Sequence, residues 1–193
     1  MELSLGSQII VAAATLFASL GGYLIAGRNE RRRDERTLKR ELRLRTTERS
    51  AQLDDSRHKL QRETLLALQD AIQLMARLSG KTMHFDHMQA RKVQYTQLPE
   101  SLSDDMFANL VEVRRLTNRI LESEVRDAVD EFIALSTRLS MSPKDLEGLA
   151  GDRLEAYTLA KVVELNEGYD GMSRILGEAA RREIAWQPGD FAD

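Results

Sequence analysis

The sequence predicts an all-α protein with a single N-terminal transmembrane helix, a long charged juxtamembrane helix and a cytoplasmic bundle of four to five helices. Its 193 residues are 31% charged and only 5% aromatic, with three prolines, a composition typical of helical proteins. Residues 3–27 carry no charge. Beyond them, apolar residues recur at spacings of three and four, the period of an amphipathic helix.

The first predicted element is a membrane span over residues 9–27, preceded by a short extracytoplasmic segment, residues 1–8. As a helix, the uncharged stretch would be about 37 Å long, which exceeds a hydrocarbon core of roughly 30 Å. Its large hydrophobes contribute about 2.4 to 4.8 kcal/mol towards insertion. They are Ile9, Ile10, Val11, Leu16, Phe17, Leu20, Leu24 and Ile25.

Two other interpretations of this segment stay open. A cleaved signal peptide should begin with positive charge, whereas the only early charge is Glu2 and the small-residue sites are limited to residues 12–14 and Ala18. A buried core helix would be shorter or would carry a polar face. An amphipathic helix lying in the interface is excluded, because the segment has no charged face.

The arginines that follow the span predict its orientation. Because Lys and Arg beside a span are retained in the cytoplasm, the N-terminus should lie outside the plasma (inner) membrane and residues 28–193 inside. The same side chains lie within about one Debye length of the lipid and could also bind anionic headgroups, at about 1 kcal/mol each. These residues are Arg28, Arg31, Arg32 and Arg33.

Within the span, small residues recur every four positions. Such a stripe lets another helix backbone approach closely, so we expect a surface for self-association or for docking of a partner helix. The alternative is that Ala and Gly are simply common in membrane helices. The stripe consists of Ala14, Ala18, Gly22 and Ala26.

Residues 28–62 are predicted to form a basic juxtamembrane helix. They hold 13 Lys and Arg against seven Asp and Glu, whereas residues 63–193 hold 15 against 23. Interleaved acids and the lack of aromatic residues argue against a nucleic-acid partner. Apolar residues recur every seven positions with polar companions, so a solvated helix is favoured over a coiled coil. They are Leu53, Leu60, Ala67 and Leu74.

Residues 63–186 are predicted to form the bundle. Its first helix is expected to end at Gly80, because glycine suits a helix C-terminus. Residues 81–100 break the periodicity and form the longest predicted connection. The apolar stripe of this helix comprises Leu60, Thr64, Ala67, Leu68, Ala71, Ile72, Met75 and Leu78.

Start signals predict the remaining helices. Ser101 and Ser123 are expected to cap two of them, and Ser142 followed by Pro143 predicts a third. The last long helix is predicted over residues 153–184, where two glycines make a kink plausible. Its apolar stripe comprises Leu154, Val162, Leu165, Tyr169, Met172, Leu176 and Ala179.

The C-terminal tail is predicted over residues 187–193. Trp186, the sole tryptophan, is expected to pack back on the bundle. As an alternative, exposed Trp186 and Phe191 would be good anchors for a partner protein.

One group of residues invites a metal hypothesis. His84, Asp86 and His87 combine two imidazoles with a carboxylate, which suits zinc or iron, and His58 is available elsewhere. Because no third ligand motif accompanies them, a surface or packing role is favoured. We therefore expect no metal and no cofactor.

The sequence carries no catalytic signature. Cysteines are absent, and no Gly-rich phosphate loop, nucleophile elbow or His-Glu-x-x-His motif occurs. We expect a protein-interaction adaptor or an accessory subunit of a membrane complex, not an enzyme. The alternative is a self-assembling membrane protein, a homo-oligomeric pore or defence effector, and a metal-dependent enzyme is the least favoured. The plan resembles many bacterial membrane proteins in composition alone.

Overall fold

The computed structural model describes residues 5–187, with side chains given for Arg33 and for residues 36–187. It confirms the prediction of an all-α protein, with about 85% of the chain in helix and the helices packed into a bundle. The helices of the described residues are α1 (Leu5–Lys92), α2 (Glu100–Thr117), α3 (Ser123–Arg138), α4 (Pro143–Leu146) and α5 (Asp152–Ala185).

The chain divides into two compact units, Met1–Leu53 and Asp54–Asp193. The described side chains of the first unit belong to α1 and are exposed throughout. The hydroxyls of Thr37 and Thr47 donate to backbone carbonyls one turn earlier, each at 2.9 Å. These threonine hydroxyls find their hydrogen-bond partners within the helix itself. Because its described side chains are also exposed, the segment is a solvated helix.

The predicted membrane span lies outside the residues that the structure describes with side chains. The same holds for its small-residue stripe and for Arg28, Arg31 and Arg32, whereas Arg33 is exposed. Among the residues described with side chains, no helix is both long enough and apolar enough to cross a membrane.

The second unit is an antiparallel bundle of α1, α2, α3 and α5. On α1, Gln61 donates to the carbonyl of Arg119 at 2.8 Å, and Ala71 accepts from the Asn109 amide at 3.0 Å. Residue numbers that rise along α1 therefore pair with residue numbers that fall from the turn after α2 into α2, so the two helices are antiparallel. The α3–α5 and α1–α5 contacts follow the same rule, so the helices alternate in direction, as in up-and-down bundles.

The core is formed by one face of each of these helices. Each core residue exposes less than one tenth of its surface, and these residues form one continuous cluster. The short helix α4 closes the end of the bundle with Leu146. The largest fully buried side chains are Leu68, Ile72, Met83, Leu139, Leu154, Leu176, Val113, Val125 and Val129.

The predicted end of the first bundle helix at Gly80 is wrong. Gly80 lies inside α1, which continues to Lys92, and the connection is limited to residues 93–99. A glycine costs a helix only about 1 kcal/mol relative to alanine. The next three turns more than offset that cost, because they bury Met83, His87 and Ala90 against the bundle.

The predicted apolar stripe of α1 is correct only in part. Thr64, Leu68 and four later members are buried, but Leu60 is 53% exposed and Ala67 is also exposed, while Leu65 is buried at 2%. The bundle therefore packs against the side of the helix that contains Leu65. The seven-residue series from Leu53 to Leu74 is exposed throughout.

Local start signals identify the later helices with uneven accuracy. Ser142 accepts from the backbone N–H of Asp145, and the Asp145 carboxylate accepts from that of Ser142 at 3.0 Å, which is a complete capping box with Pro143 at the first helical position. The cap predictions at Ser101 and Ser123 are wrong, because both residues lie inside helices that begin without a side-chain cap.

Gly168 of α5 packs directly against Leu135 of α3. A β-carbon built on Gly168 would lie 2.1 Å from Cδ2 of Leu135, so the absence of a side chain lets the two helices meet. Gly171, one turn later, has open space where its β-carbon would be. The two glycines therefore have different structural consequences.

Replacing Leu68 by alanine should destabilise the bundle by about 2 to 5 kcal/mol, because it leaves a cavity in the core. Leu60→Ala on the same helix should change the free energy of unfolding by less than about 0.5 kcal/mol. Urea unfolding of the two variants measures the difference. Equal losses would contradict the assignment of the buried face.

Gly171→Ala should stabilise the bundle by about 0.5 to 1 kcal/mol, since it adds helix propensity without a clash. Gly168→Ala should gain less or lose stability, because Leu135 must rotate away. Adding Leu135→Ala to Gly168→Ala should remove the clash, and the coupling energy from the double-mutant cycle quantifies it.

Candidate functional site

The first polar cluster joins α1 to α5 near the start of the second unit. Nδ1 of His58 lies 2.5 Å from a carboxylate oxygen of Glu183, and both side chains are about 15% exposed. Trp186 stacks on the imidazole, with ring centroids 3.9 Å apart and planes inclined by 17°. The imidazole is thus held on one edge by a carboxylate and on one face by an indole.

The second polar cluster joins the same helices at the other end of the bundle. Nδ1 of His87 lies 2.8 Å from the Thr158 hydroxyl, and Nε2 lies 3.3 Å from the Glu155 carboxylate. Arg91 reaches the other oxygen of Glu155 at 3.6 Å. His87 is buried, and both of its ring nitrogens have polar partners that replace the excluded water.

Asp86 lies beside this cluster but contacts a different part of the chain. Its carboxylate accepts a hydrogen bond from the backbone N–H of Met141. Burial raises the pKa of Asp86 from its ordinary value of 3.8 to about 6, and the Met141 hydrogen bond offsets part of the rise. Desolvation disfavours the charged carboxylate, which is the physical cause.

The three residues of the metal hypothesis do not converge. His84 is exposed, Asp86 contacts the α3–α4 linker, and His87 faces α5. Among the described residues, no group of three His, Cys, Asp or Glu side chains is placed to hold a metal ion. The geometry assigns His87 a packing role between helices.

The surface of the described bundle includes grooves between and beside its helices. One of about 490 Å³ runs between α3 and α5, with Phe132, Leu135 and Met172 among its lining residues. Another, of about 500 Å³, lies beside α4 and includes Tyr95 and Lys144. Neither groove contains a cluster of converging polar groups.

A strained residue borders the groove beside α4. Val93 directly follows α1, with φ of 51° and an 80% exposed side chain. This left-handed conformation is rare for a β-branched residue and costs on the order of 1 to 3 kcal/mol. It allows the chain to turn directly from α1 into the connection that leads to α2.

Of the two predicted partner anchors, Trp186 is described by the structure and Phe191 is not. Trp186 is partly buried and stacks on His58, as expected for a tryptophan that packs back on the bundle. Phe191 lies outside the described residues. The His58–Glu183 contact was missed because 125 residues separate its members, and neither residue belongs to a motif.

Comparison of this chain with family models, with curated proteins and with solved structures finds no match.

Asp86→Asn should stabilise the bundle at neutral pH and change little at pH 4. The folded pKa is above the unfolded one, so the charged carboxylate destabilises the wild type at pH values above about 6, and this cost disappears as the pH falls through 6 towards 4. Thermal unfolding at pH 4.5 and 7.5 should show a difference of a few degrees between wild type and variant at the higher pH.

Asp70→Asn is the matched control, because Asp70 is exposed on the same helix. It should leave the unfolding temperature nearly unchanged at both pH values. If Asp86→Asn had the same effect at pH 4.5 and 7.5, the carboxyl would not titrate in this range.

Proposed function

We propose that this chain is a single-pass membrane protein whose cytoplasmic helical bundle acts as an adaptor or accessory subunit of a membrane complex. The observation that carries the proposal is the uncharged stretch of residues 3–27 followed directly by four arginines. Length favours a span, and the arginines favour an N-out orientation at the plasma (inner) membrane.

The polar groups of the bundle support an interaction role. The buried histidine His87 and the partly buried His58 are both engaged between α1 and α5, so each has a structural task. Large apolar side chains, by contrast, are exposed on several helices, among them Leu74, Phe107 and Leu159. Where exposed apolar side chains form a contiguous patch, they mark a protein interaction site.

The proposal is tested first by membrane fractionation of the full chain. We expect it in the membrane fraction after alkaline extraction. Leu16→Arg with Leu20→Arg should release it, since two arginines cost about 5 to 7 kcal/mol at a helix centre, more than the span's large hydrophobes contribute. Leu16→Ile with Leu20→Ile is the matched control and should stay in the membrane.

The second step captures the full chain from the same membranes in mild detergent. A different protein in fixed stoichiometry, retained when residues 1–27 are deleted, supports the adaptor role. If only copies of this chain are found, and these are lost with the anchor, the adaptor proposal is wrong and the self-assembling alternative replaces it. A soluble full chain would refute the anchor itself.

A further inference from the structure

One face of α5 is apolar and exposed. It lies opposite the core residues Leu154, Leu165 and Met172, which are buried. Leu159 is 64% exposed and Val163 is 45% exposed. The nearby Val162, which the apolar stripe predicts to be in the core, is 37% exposed. Ala156 and Ala160 are exposed beside them. Nothing in the bundle covers these two turns.

The exposed positions follow a seven-residue pattern. Steps of three and four lead along one side of α5, which is the spacing of a helix that pairs with another helix. All six positions are exposed. They are Arg153, Ala156, Ala160, Val163, Glu167 and Asp170.

On this side of α5, the positive and negative charges lie at opposite ends of the helix. Arg153 lies at its N-terminal end, and Glu167 and Asp170 lie at its C-terminal end. None of the three has an ion pair or side-chain hydrogen bond among the residues described with side chains, whereas their neighbours Glu155 and Glu164 are paired with other helices. The free charges flank the apolar centre on both sides.

This side of α5 is complementary to the same side of a second copy only when the two helices are antiparallel. In an antiparallel pair, Ala160 of one copy meets Val163 of the other, and Arg153 then faces Asp170 with Glu167 one turn away. The same contacts repeat at the opposite end by two-fold symmetry. A parallel pair would instead place Arg153 against Arg153 and acid against acid.

We propose that two copies of this chain associate through an antiparallel pairing of their α5 helices. Ala156 and Ala160 allow close approach, Leu159 and Val163 supply the apolar contact, and Arg153 pairs with the acids of the other copy. The inference goes beyond the adaptor role and does not depend on it, because every residue involved lies in the bundle.

The size of the face determines the strength of the pair. Two helical turns offer less than the roughly 800 Å² per partner of a standard stable interface. The association is therefore weak in dilute solution. It becomes significant where copies are held at high local concentration.

Cysteine cross-linking of the full chain tests the proposal. The chain has no cysteine, so Ala160→Cys introduces a single thiol, and in the proposed register this thiol lies close to the two-fold axis of the pair. Mild oxidation should give a covalent dimer. Val111→Cys, on the exposed side of α2 and 51% exposed, is the matched control and should give little or none.

Charge reversal distinguishes the proposed pair from chance contact. In the Ala160→Cys background, Arg153→Glu should lower the dimer yield roughly tenfold at low salt, equivalent to about 1.4 kcal/mol. Glu167→Arg with Asp170→Arg should lower it similarly. All three reversals together should restore it, which a folding defect would not do.

The inference would be overturned by the absence of a dimer at residue 160, by a yield equal to that at residue 111, or by no restoration with the combined reversals. Cross-linking to a different protein would overturn it too, since it would identify another occupant of this face. The reaction is run in whichever fraction contains the full chain, so failure of membrane anchoring leaves the test intact.

Discussion

The bundle depends on the antiparallel packing of α1 against α5. His58 and Glu183 join the two helices at one end, and His87 and Glu155 join them at the other. A slide of one turn would separate both pairs and leave largely buried imidazoles without partners, which costs more than their contact contributes. The apolar core supplies most of the stability, while the two histidine contacts fix the register.

That register also determines which apolar side chains remain outside. Each long helix carries more apolar residues than one face can hold, so burying Leu65 on α1 leaves Leu60 exposed, and burying Leu165 on α5 leaves Val163 exposed. The second faces are therefore a direct result of packing the first. They leave large apolar side chains exposed without any loss from the core.

Helix identity could be predicted from the sequence, because it depends on neighbouring residues. The helix start at Ser142 and Pro143 and the bounds of α5 depend on local features, and the sequence predicts both to within one residue. The end of α1 is not predicted, since the cost of Gly80 is outweighed by contacts with distant helices. For the same reason the sequence could not choose between Leu60 and Leu65, nor bring His58 to Glu183. The three candidate metal residues lie in one helix but do not converge, because His84 is exposed, Asp86 contacts Met141 and His87 contacts Thr158 on α5.

Because Trp186 stacks on His58, the polypeptide enters and leaves the bundle at the same end. At the opposite end lie two connections, residues 93–99 and 139–151. Insertions within the exposed residues 93–97 would therefore leave the His58–Glu183 contact at the first end undisturbed.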